Sequence, residues 1–227
     1  MIPLTHCKNK KIFVLGLGLS GESAIRALES GGANVSAWDD NDRVRKHYFE
    51  QGKIITNPKE ISVKDFDVLF LSPGIDIKKS PQKKFIDEFR RKKKTIICDI
   101  QLFVDEISHR KRNDKIIMLT GTNGKSTTSM MIYHILDKLG KKVQVGGNIG
   151  SRGVLDFELS DQDIIFIIEL SSYQIELSPN IKPGIGILLN ISHDHLDRHG
   201  DIDKYIDIKF DIFKHQNEDD ISIIALD

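Results

Sequence analysis

Short apolar runs recur along the chain and are separated by stretches of helical character. The runs are continuous rather than alternating, which is typical of strands that are covered on both faces of a sheet. Strands that alternate with helices form parallel sheets, so the pattern predicts an α/β fold. We expect strands at residues 12–15, 35–38, 68–71, 95–98, 116–120, 143–145, 164–168, 185–189 and 221–226.

A polar stretch between Ile107 and Lys115, SHRKRND, has no apolar period. It is a linker or a solvated loop, and we favour a domain junction nearby because a strand-loop-helix motif begins directly after it. Upstream, the charged segment 83–94 predicts an amphipathic surface helix whose apolar positions are Phe85, Ile86 and Phe89.

Charge and cysteine content narrow the range of partners. The 33 basic and 33 acidic side chains cancel, so nothing favours nucleic acid or an anionic membrane as a partner. Cys7 and Cys98 lie far apart and follow no signal segment, which predicts free thiols in a reducing compartment. The longest apolar runs are far shorter than the roughly 20 residues that cross a bilayer, so we expect a cytoplasmic protein.

The segment 120–128, TGTNGKSTT, has the pattern of a phosphate-binding P-loop. It follows a predicted strand and opens a helix with apolar residues at helical spacing, Met131, Ile132, Ile135 and Leu139. Backbone N–H groups of such a loop surround phosphates, its lysine reaches the β and γ phosphates, and its serine holds Mg²⁺. We therefore predict that ATP binds to Gly121, Thr122, Asn123, Gly124, Lys125, Ser126 and Thr127.

This loop departs from the general P-loop pattern at one position. Leu119 stands where that pattern has glycine. The alternative is a glycine-rich turn that caps an ordinary helix, with Ser126 and Thr127 in its first turn.

Mg²⁺ bound to a nucleotide also needs a carboxylate. Glu169 directly follows the run 164–168, so a central strand would bring it to the carboxyl edge of the sheet, where ligands bind in α/β folds. We predict Glu169 as a metal ligand beside Ser126, although a polar residue at the end of a strand is also common without any function.

The segment 190–199, NISHDHLDRH, concentrates histidine and aspartate after another predicted strand. Such a cluster suggests metal chemistry. One alternative is a dinuclear zinc hydrolase, because His193, His195 and Asp197 fit an HxHxDH pattern. Arg198 occupies the position of its last histidine, however, and that class does not explain the P-loop. An inert polar turn is the other alternative.

Taken together, these motifs resemble the Mur ligase family. The segments that carry the resemblance are GTNGKST at 121–127, GGNIG at 146–150, ELSSYQ at 169–174 and NISHDH at 190–195. Toward the N-terminus, GLGLSG at 16–21, SPG at 72–74 and DIQLF at 99–103 resemble the branch that adds D-glutamate. The resemblance covers the whole chain and implies a Rossmann-like domain at 1–103 followed by a P-loop central domain at 104–227.

The N-terminal glycines admit two interpretations. Gly16, Gly18 and Gly21 follow a predicted strand and precede a helix predicted at 22–29, which alone would suggest NAD binding. The resemblance implies instead that this half binds the UDP of a sugar substrate, and both uses rest on backbone N–H groups and a helix dipole that meet a diphosphate. It places Leu19 and Ser20 in the loop as UDP contacts together with Asp39 and Gly74. Asp40 is the alternative to Asp39.

The reaction that the resemblance implies forms an amide in two steps. The carboxylate of UDP-N-acetylmuramoyl-L-alanine attacks the γ-phosphate of ATP, and the amine of D-glutamate then displaces phosphate from the acyl phosphate. Two anions must meet in the first step, so charge neutralisation and positioning dominate catalysis. The resemblance assigns catalytic roles to Lys125, His195 and Lys209, and substrate contacts to Asn148, Gln174 and His195.

The same resemblance assigns the metal ligands Ser126, Glu169, His195 and Lys209. Lys209 would be carbamylated, because a carbamate offers the hard oxygen ligands that suit Mg²⁺. Lys209 also fits an exposed position on an amphipathic helix with Tyr205, Ile208 and Ile212.

The length of the chain departs from the family pattern. Family members continue through the rest of the central domain into a C-terminal domain that binds D-glutamate, whereas this sequence stops at Asp227. We therefore expect a truncated central domain, an incomplete, monomeric protein, and no turnover by the isolated chain. The alternative is a non-catalytic module that binds a UDP-sugar or ATP.

Overall fold

The computed structural model describes residues 1–150, 152–193, 198 and 200–225. These residues form two sheets in which every strand pair is parallel, so the predicted α/β class is confirmed. All the predicted strands are present, with ends that shift by one or two residues.

The first sheet has the order β2-β1-β3-β4. Its strands are almost fully apolar, as in β3, where every side chain is buried. The strands are β1 (Lys11–Leu15), β2 (Asn34–Trp38), β3 (Val68–Leu71) and β4 (Thr95–Ile97), and the helices are α1 (Leu19–Ser30), α2 (Asp42–Glu50), α3 (Lys83–Arg91) and α4 (Asp99–His109).

The second sheet has the order β6-β7-β5-β8-β9. Its strands are β5 (Lys115–Thr120), β6 (Val143–Gly147), β7 (Ile165–Glu169), β8 (Ile185–Leu188) and β9 (Ile221–Ile224). The described α-helices of this half are α5 (Lys125–Lys138), α6 (Ser172–Glu176) and α7 (Ile202–Phe210).

Strand order determines where a ligand can bind. In the second sheet β5 lies between β7 and β8, so the chain leaves β5 toward one edge and later returns to its other side. Ligands of open parallel sheets bind at such a switch point, beyond the carboxyl ends of the strands. The carboxyl ends of β5, β7 and β8 therefore meet at one place. The P-loop follows β5, Glu169 is the last residue of β7, and the segment from Asn190 follows β8.

Helix α4 joins the two sheets into one buried core. Phe103 of α4 packs edge-on against Phe157 and Phe166 of the second half, with ring centroids 5.7 Å and 5.1 Å away. Such aromatic pairs add about 0.5–1.5 kcal/mol each beyond the area that they bury. Since α4 runs across residues 103 and 104, the predicted boundary between two domains stays a prediction.

Two helices differ from the expectation. Helix α1 begins at Leu19, directly after its N-cap residue Gly18, so Leu19 and Ser20 lie in the first helical turn and not in the preceding loop. The predicted amphipathic helix at 83–94 is α3, which buries Phe85, Ile86 and Phe89 and ends at Arg91.

Helix α5 packs differently from its apolar pattern. Its residues Ile132, Tyr133 and Leu136 pack against apolar residues of the sheet, and Ser129 is buried. The predicted apolar positions Met131, Ile135 and Leu139 are instead 59%, 55% and 66% exposed. Within the described ranges, no helix is long and apolar enough to cross a bilayer.

Candidate functional site

The P-loop connects β5 to α5 at the carboxyl edge of the second sheet. Gly124 is the N-cap residue of α5 and has a φ of +80°, a backbone conformation that glycine adopts without strain. No hydrogen bond to another described residue is made by the backbone N–H groups of residues 124–127. The start of α5 therefore offers the ring of donors and the helix dipole that a polyphosphate requires.

Lys125 points back across this loop. Its Nζ atom donates to the carbonyl oxygens of Gly121 and Thr122, at 2.9 Å each. The ammonium group therefore lies in the concave side of the turn, close to the place where the N–H groups of α5 begin. A cation held there neutralises the charge of a bound phosphate chain.

Glu169 connects the P-loop to the GGNIG segment. Its carboxylate is only 1% exposed and accepts hydrogen bonds from Ser126 Oγ at 2.8 Å and from Asn148 Nδ2 at 3.1 Å. A buried carboxylate and a hydroxyl in contact form the donor set that Mg²⁺ prefers. Ser126 and Glu169 therefore fit the metal site that the sequence predicts.

Gly147 explains how Asn148 reaches this position. The φ of Gly147 is +97°, and a Cβ atom there would lie 2.2 Å from the carbonyl oxygen of Glu169. Only glycine allows so close an approach, and the next residue then donates its backbone N–H to the same carbonyl oxygen at 2.9 Å.

Lys209 projects from α7 toward the opposite side of the P-loop. It is 1% exposed, and its Nζ donates to Thr120 Oγ1 at 3.2 Å and to the carbonyl oxygen of Gly121 at 3.0 Å. The amine also lies 4.7 Å from the centre of the Tyr205 ring. Lys209 is thus not an exposed residue of an amphipathic helix but a buried one that contacts the start of the phosphate loop.

A cavity of about 330 Å³ opens between the carboxyl ends of the two sheets. It collects loops that follow β1, β3, β6 and β7, and it contains five residues that the sequence assigns to the UDP substrate, namely Leu19, Ser20, Gly74, Asn148 and Gln174. A larger cavity of about 580 Å³ lies beside Lys11 and Asn34, where β1 and β2 begin. Since ligands of parallel sheets bind at the carboxyl ends, the smaller cavity is the better placed of the two for a ligand.

Comparison with known proteins agrees with this geometry. The profile of the Mur ligase middle domain matches residues 119–227. The chain is 38% identical over 229 residues to UDP-N-acetylmuramoylalanine--D-glutamate ligase of Caulobacter vibrioides, and this match covers all of the chain and 48% of that protein. Residues 119–227 belong to the Mur ligase family as its middle domain. The family resemblance of the sequence motifs is therefore confirmed.

A second curated relative has the same name. The ligase of Brucella abortus is 40% identical over 209 residues, which cover 92% of this chain and 44% of the relative. The chain thus spans about half the length of the curated relatives that it matches. Among solved structures, UDP-N-acetylmuramate:L-alanyl-gamma-D-glutamyl-meso-diaminopimelate ligase from Neisseria meningitides shares the fold, with a TM-score of 0.59 and 17% identity over 96% of this chain and 71% of that one.

Two predicted substrate residues of this chain have other partners in the structure. The carboxylate of Asp39 accepts the backbone N–H groups of Leu17 and Asn41 at 2.8 Å each, so it braces the glycine loop and does not line the cavity. The alternative residue, Asp40, accepts from Gln82 Nε2 at 2.8 Å and from Trp38 Nε1 at 3.0 Å. Gln174 lines the cavity and accepts from the hydroxyl and backbone N–H of Ser171, at 3.1 Å each.

His195 lies outside the described residues, as does Asp197 of the alternative zinc pattern. The predicted metal and substrate roles of His195 in this Mur ligase domain therefore stay predictions. Arg198 is described, and its guanidinium stacks on Tyr173 at 3.7 Å from the ring centre and donates to the carbonyl oxygen of Pro73 at 3.1 Å.

Sequence reasoning missed several residues of this site. Tyr173 and Ser171 line the cavity but were not singled out, although both lie in the ELSSYQ motif. Arg198 joins the second half to the loop after β3. The sequence gives no local signal for this role, because the contact links residues that are 125 positions apart.

Proposed function

We propose that this chain provides the ATP site and the UDP-substrate site of a ligase that adds D-glutamate to UDP-N-acetylmuramoyl-L-alanine. The names of the curated relatives support this assignment. The observation that carries it is the row Ser126, Glu169 and Asn148, in which each side chain is hydrogen-bonded to the next. Ser126 belongs to the nucleotide loop and Asn148 lines the cavity, so the row joins the two sites.

The proposed chemistry begins with a phosphoryl transfer. An oxygen of the substrate carboxylate forms a bond to the γ-phosphorus of ATP, and the bond to the β-γ bridging oxygen breaks to release ADP. The amine of D-glutamate then attacks the acyl carbon, phosphate leaves, and the amine loses a proton. In the first step Lys125 and the N–H groups at the start of α5 stabilise charge on the transferred group.

Mg²⁺ would neutralise further charge on the phosphates, and Ser126 and Glu169 are the described residues that fit it. His195 and a carbamylated Lys209 complete the proposed ligand set. The position of Lys209 beside Gly121 supports this role, because a carbamate on its nitrogen would add two oxygen atoms next to the phosphate loop. The proposal also includes that the protein is a monomer and that it lies in the cytoplasm.

Titration calorimetry and ADP release test this function. We expect saturable binding of Mg-ATP and, separately, of UDP-N-acetylmuramoyl-L-alanine by the full chain. Binding of both ligands without ADP release agrees with the expected lack of turnover by the isolated chain, and ADP release that requires ATP, UDP-N-acetylmuramoyl-L-alanine and D-glutamate would show the ligase reaction directly. Binding of only one of the two ligands would favour a non-catalytic module. Zinc in the purified protein without affinity for nucleotide would contradict the proposal and favour the hydrolase.

Glu169→Gln separates the metal role from nucleotide binding. The amide keeps the shape of the side chain but loses its charge, so we expect Mg-ATP affinity to fall about tenfold, while ATP affinity in EDTA stays within about twofold. The matched control is Glu176→Gln on the exposed side of α6, which should change neither affinity. An equal loss with and without Mg²⁺ would show that Glu169 holds the loop and not the metal.

A further inference from the structure

The side chain of Asn190 lies directly against the P-loop. Its Oδ1 atom accepts the backbone N–H groups of Thr122 at 3.1 Å and of Asn123 at 2.9 Å. Its Nδ2 group donates to the carbonyl oxygen of Asn123 at 3.0 Å. The side-chain amide thus bonds to both polar groups of Asn123, as a neighbouring peptide would in a sheet.

Further contacts join the same two segments. The carbonyl oxygen of Asn190 accepts from the N–H of Thr122 at 3.0 Å, and Ser192 donates its N–H to Thr122 Oγ1 at 2.9 Å. A Cβ atom on Gly121 would lie 3.0 Å from Leu189 Cβ, so the end of β8 packs closely beneath the turn. The first half of the P-loop is therefore held from one side by the segment that follows β8.

These bonds distinguish two parts of the P-loop. Residues 122 and 123 direct their N–H groups to Asn190, whereas the N–H groups of residues 124–127 are bonded to no other described residue. Fixing the first pair limits the backbone angles through which the chain enters Gly124. A turn that is already ordered loses less conformational freedom when its ligand binds, and affinity rises accordingly.

We propose that Asn190 is a positioning residue for the nucleotide, which it does not contact itself: it keeps the P-loop in its phosphate-binding conformation. This inference rests on the proposed ATP site. Asparagine suits the role because one planar group supplies an acceptor and a donor at the spacing of a peptide. Aspartate would lack the donor and would place a negative charge near the phosphates.

The test compares Asn190→Ala and Asn190→Asp with the unmodified chain. We expect Asn190→Ala to weaken Mg-ATP binding about tenfold to thirtyfold and Asn190→Asp to weaken it more, because two ordered residues gain freedom in the first and charge repulsion is added in the second. Affinity for UDP-N-acetylmuramoyl-L-alanine should stay within about twofold in Asn190→Ala. Amide hydrogen exchange without nucleotide should accelerate at Asn123 in that variant, whereas Thr122 keeps its bond to the backbone carbonyl oxygen of residue 190.

Gln144→Ala is the matched control. The side chain of Gln144 bonds to the N–H and carbonyl groups of Glu158 at 2.9 Å and 2.6 Å, so it makes the same kind of contact away from the P-loop. We expect this variant to bind Mg-ATP like the unmodified chain.

Mg-ATP affinity within about twofold in Asn190→Ala, or an equal loss of affinity for the UDP substrate, would overturn the positioning role. Failure of the unmodified chain to bind Mg-ATP would instead overturn the proposed function. Hydrogen exchange distinguishes the two failures, since unchanged exchange at Asn123 in Asn190→Ala refutes the positioning role whether or not ATP binds.

Discussion

Replacing Lys125 with alanine is expected to weaken Mg-ATP binding on the order of 100-fold or more. The ammonium group lies across the concave side of the P-loop, where it would form charge-assisted hydrogen bonds to two phosphates. Each such bond contributes about 1.5–3 kcal/mol, and about 1.4 kcal/mol corresponds to a tenfold change in affinity. Calorimetric titration of the variant with Mg-ATP measures the loss.

The fold should tolerate this change. Among the described residues, Lys125 donates only to carbonyl groups of its own loop, so we expect the free energy of unfolding to change by no more than about 0.5 kcal/mol. Lys138→Ala, at the other end of α5, is the matched control and should leave Mg-ATP affinity unchanged. Retention of affinity within about twofold in Lys125→Ala would show that the loop does not hold the phosphates through this lysine.

Glu106→Ala is expected to destabilise the fold by about 3–5 kcal/mol, because it removes one partner from a buried charged cluster. The Glu106 side chain is fully buried in α4 and accepts from Thr5 Oγ1 at 2.7 Å, from the backbone N–H of His6 at 3.0 Å and from Arg110 Nε at 2.7 Å. His6 Nδ1 lies 2.6 Å from the same carboxylate. Denaturant unfolding at pH 7 measures the loss.

The effect should depend on pH in a defined direction. Burial opposes ionisation of Glu106, but hydrogen bonds from His6 and Thr5 outweigh it and lower the pKa from 4.5 to about 2. A carboxyl group with a lowered pKa stabilises the folded state above its unfolded pKa, and this stabilisation is lost as pH falls from about 4.5 toward 2. The difference between Glu106→Gln and the unmodified chain should therefore shrink across this range.

Asp87→Asn is the control for this cluster. Asp87 pairs with Lys83 on the surface of α3 with 42% of its side chain exposed, and exposed pairs contribute about 0–1 kcal/mol. An equal loss of stability in Asp87→Asn and Glu106→Ala, or a Glu106→Gln difference that does not change with pH, would contradict the role of the buried cluster.

Sequence patterns predicted the strands and the phosphate loop because both signals are local. A buried parallel strand requires a continuous apolar run, and the runs of β3 and β7 indicate such strands directly. The P-loop needs its glycine and lysine at fixed spacing between a strand and a helix, so its residues reveal the structure around them. Its position at the end of a predicted strand identified Glu169 as a partner of this loop, and Ser126 and Glu169 do meet in the structure.

Other features depend on contacts between distant segments. Helical spacing identified apolar positions of α5 but not the side of the helix that meets the sheet, and Met131 and Leu139 are exposed. Asp39 follows β2 as a ligand-binding residue would, yet its carboxylate braces the backbone at Leu17. Asn190 belonged to a quoted motif, and only the order of β5 and β8 places it against the P-loop.

Titration of the full chain with UDP-N-acetylmuramoyl-L-alanine tests the central claim most directly, namely that the loops of both sheets form one substrate site beside the P-loop. We predict saturable binding with one ligand per chain, weakened about tenfold by Asn148→Ala, which removes an amide that lines the cavity and contacts Glu169. Binding of Mg-ATP by a chain that shows no affinity for this UDP-sugar would contradict the account.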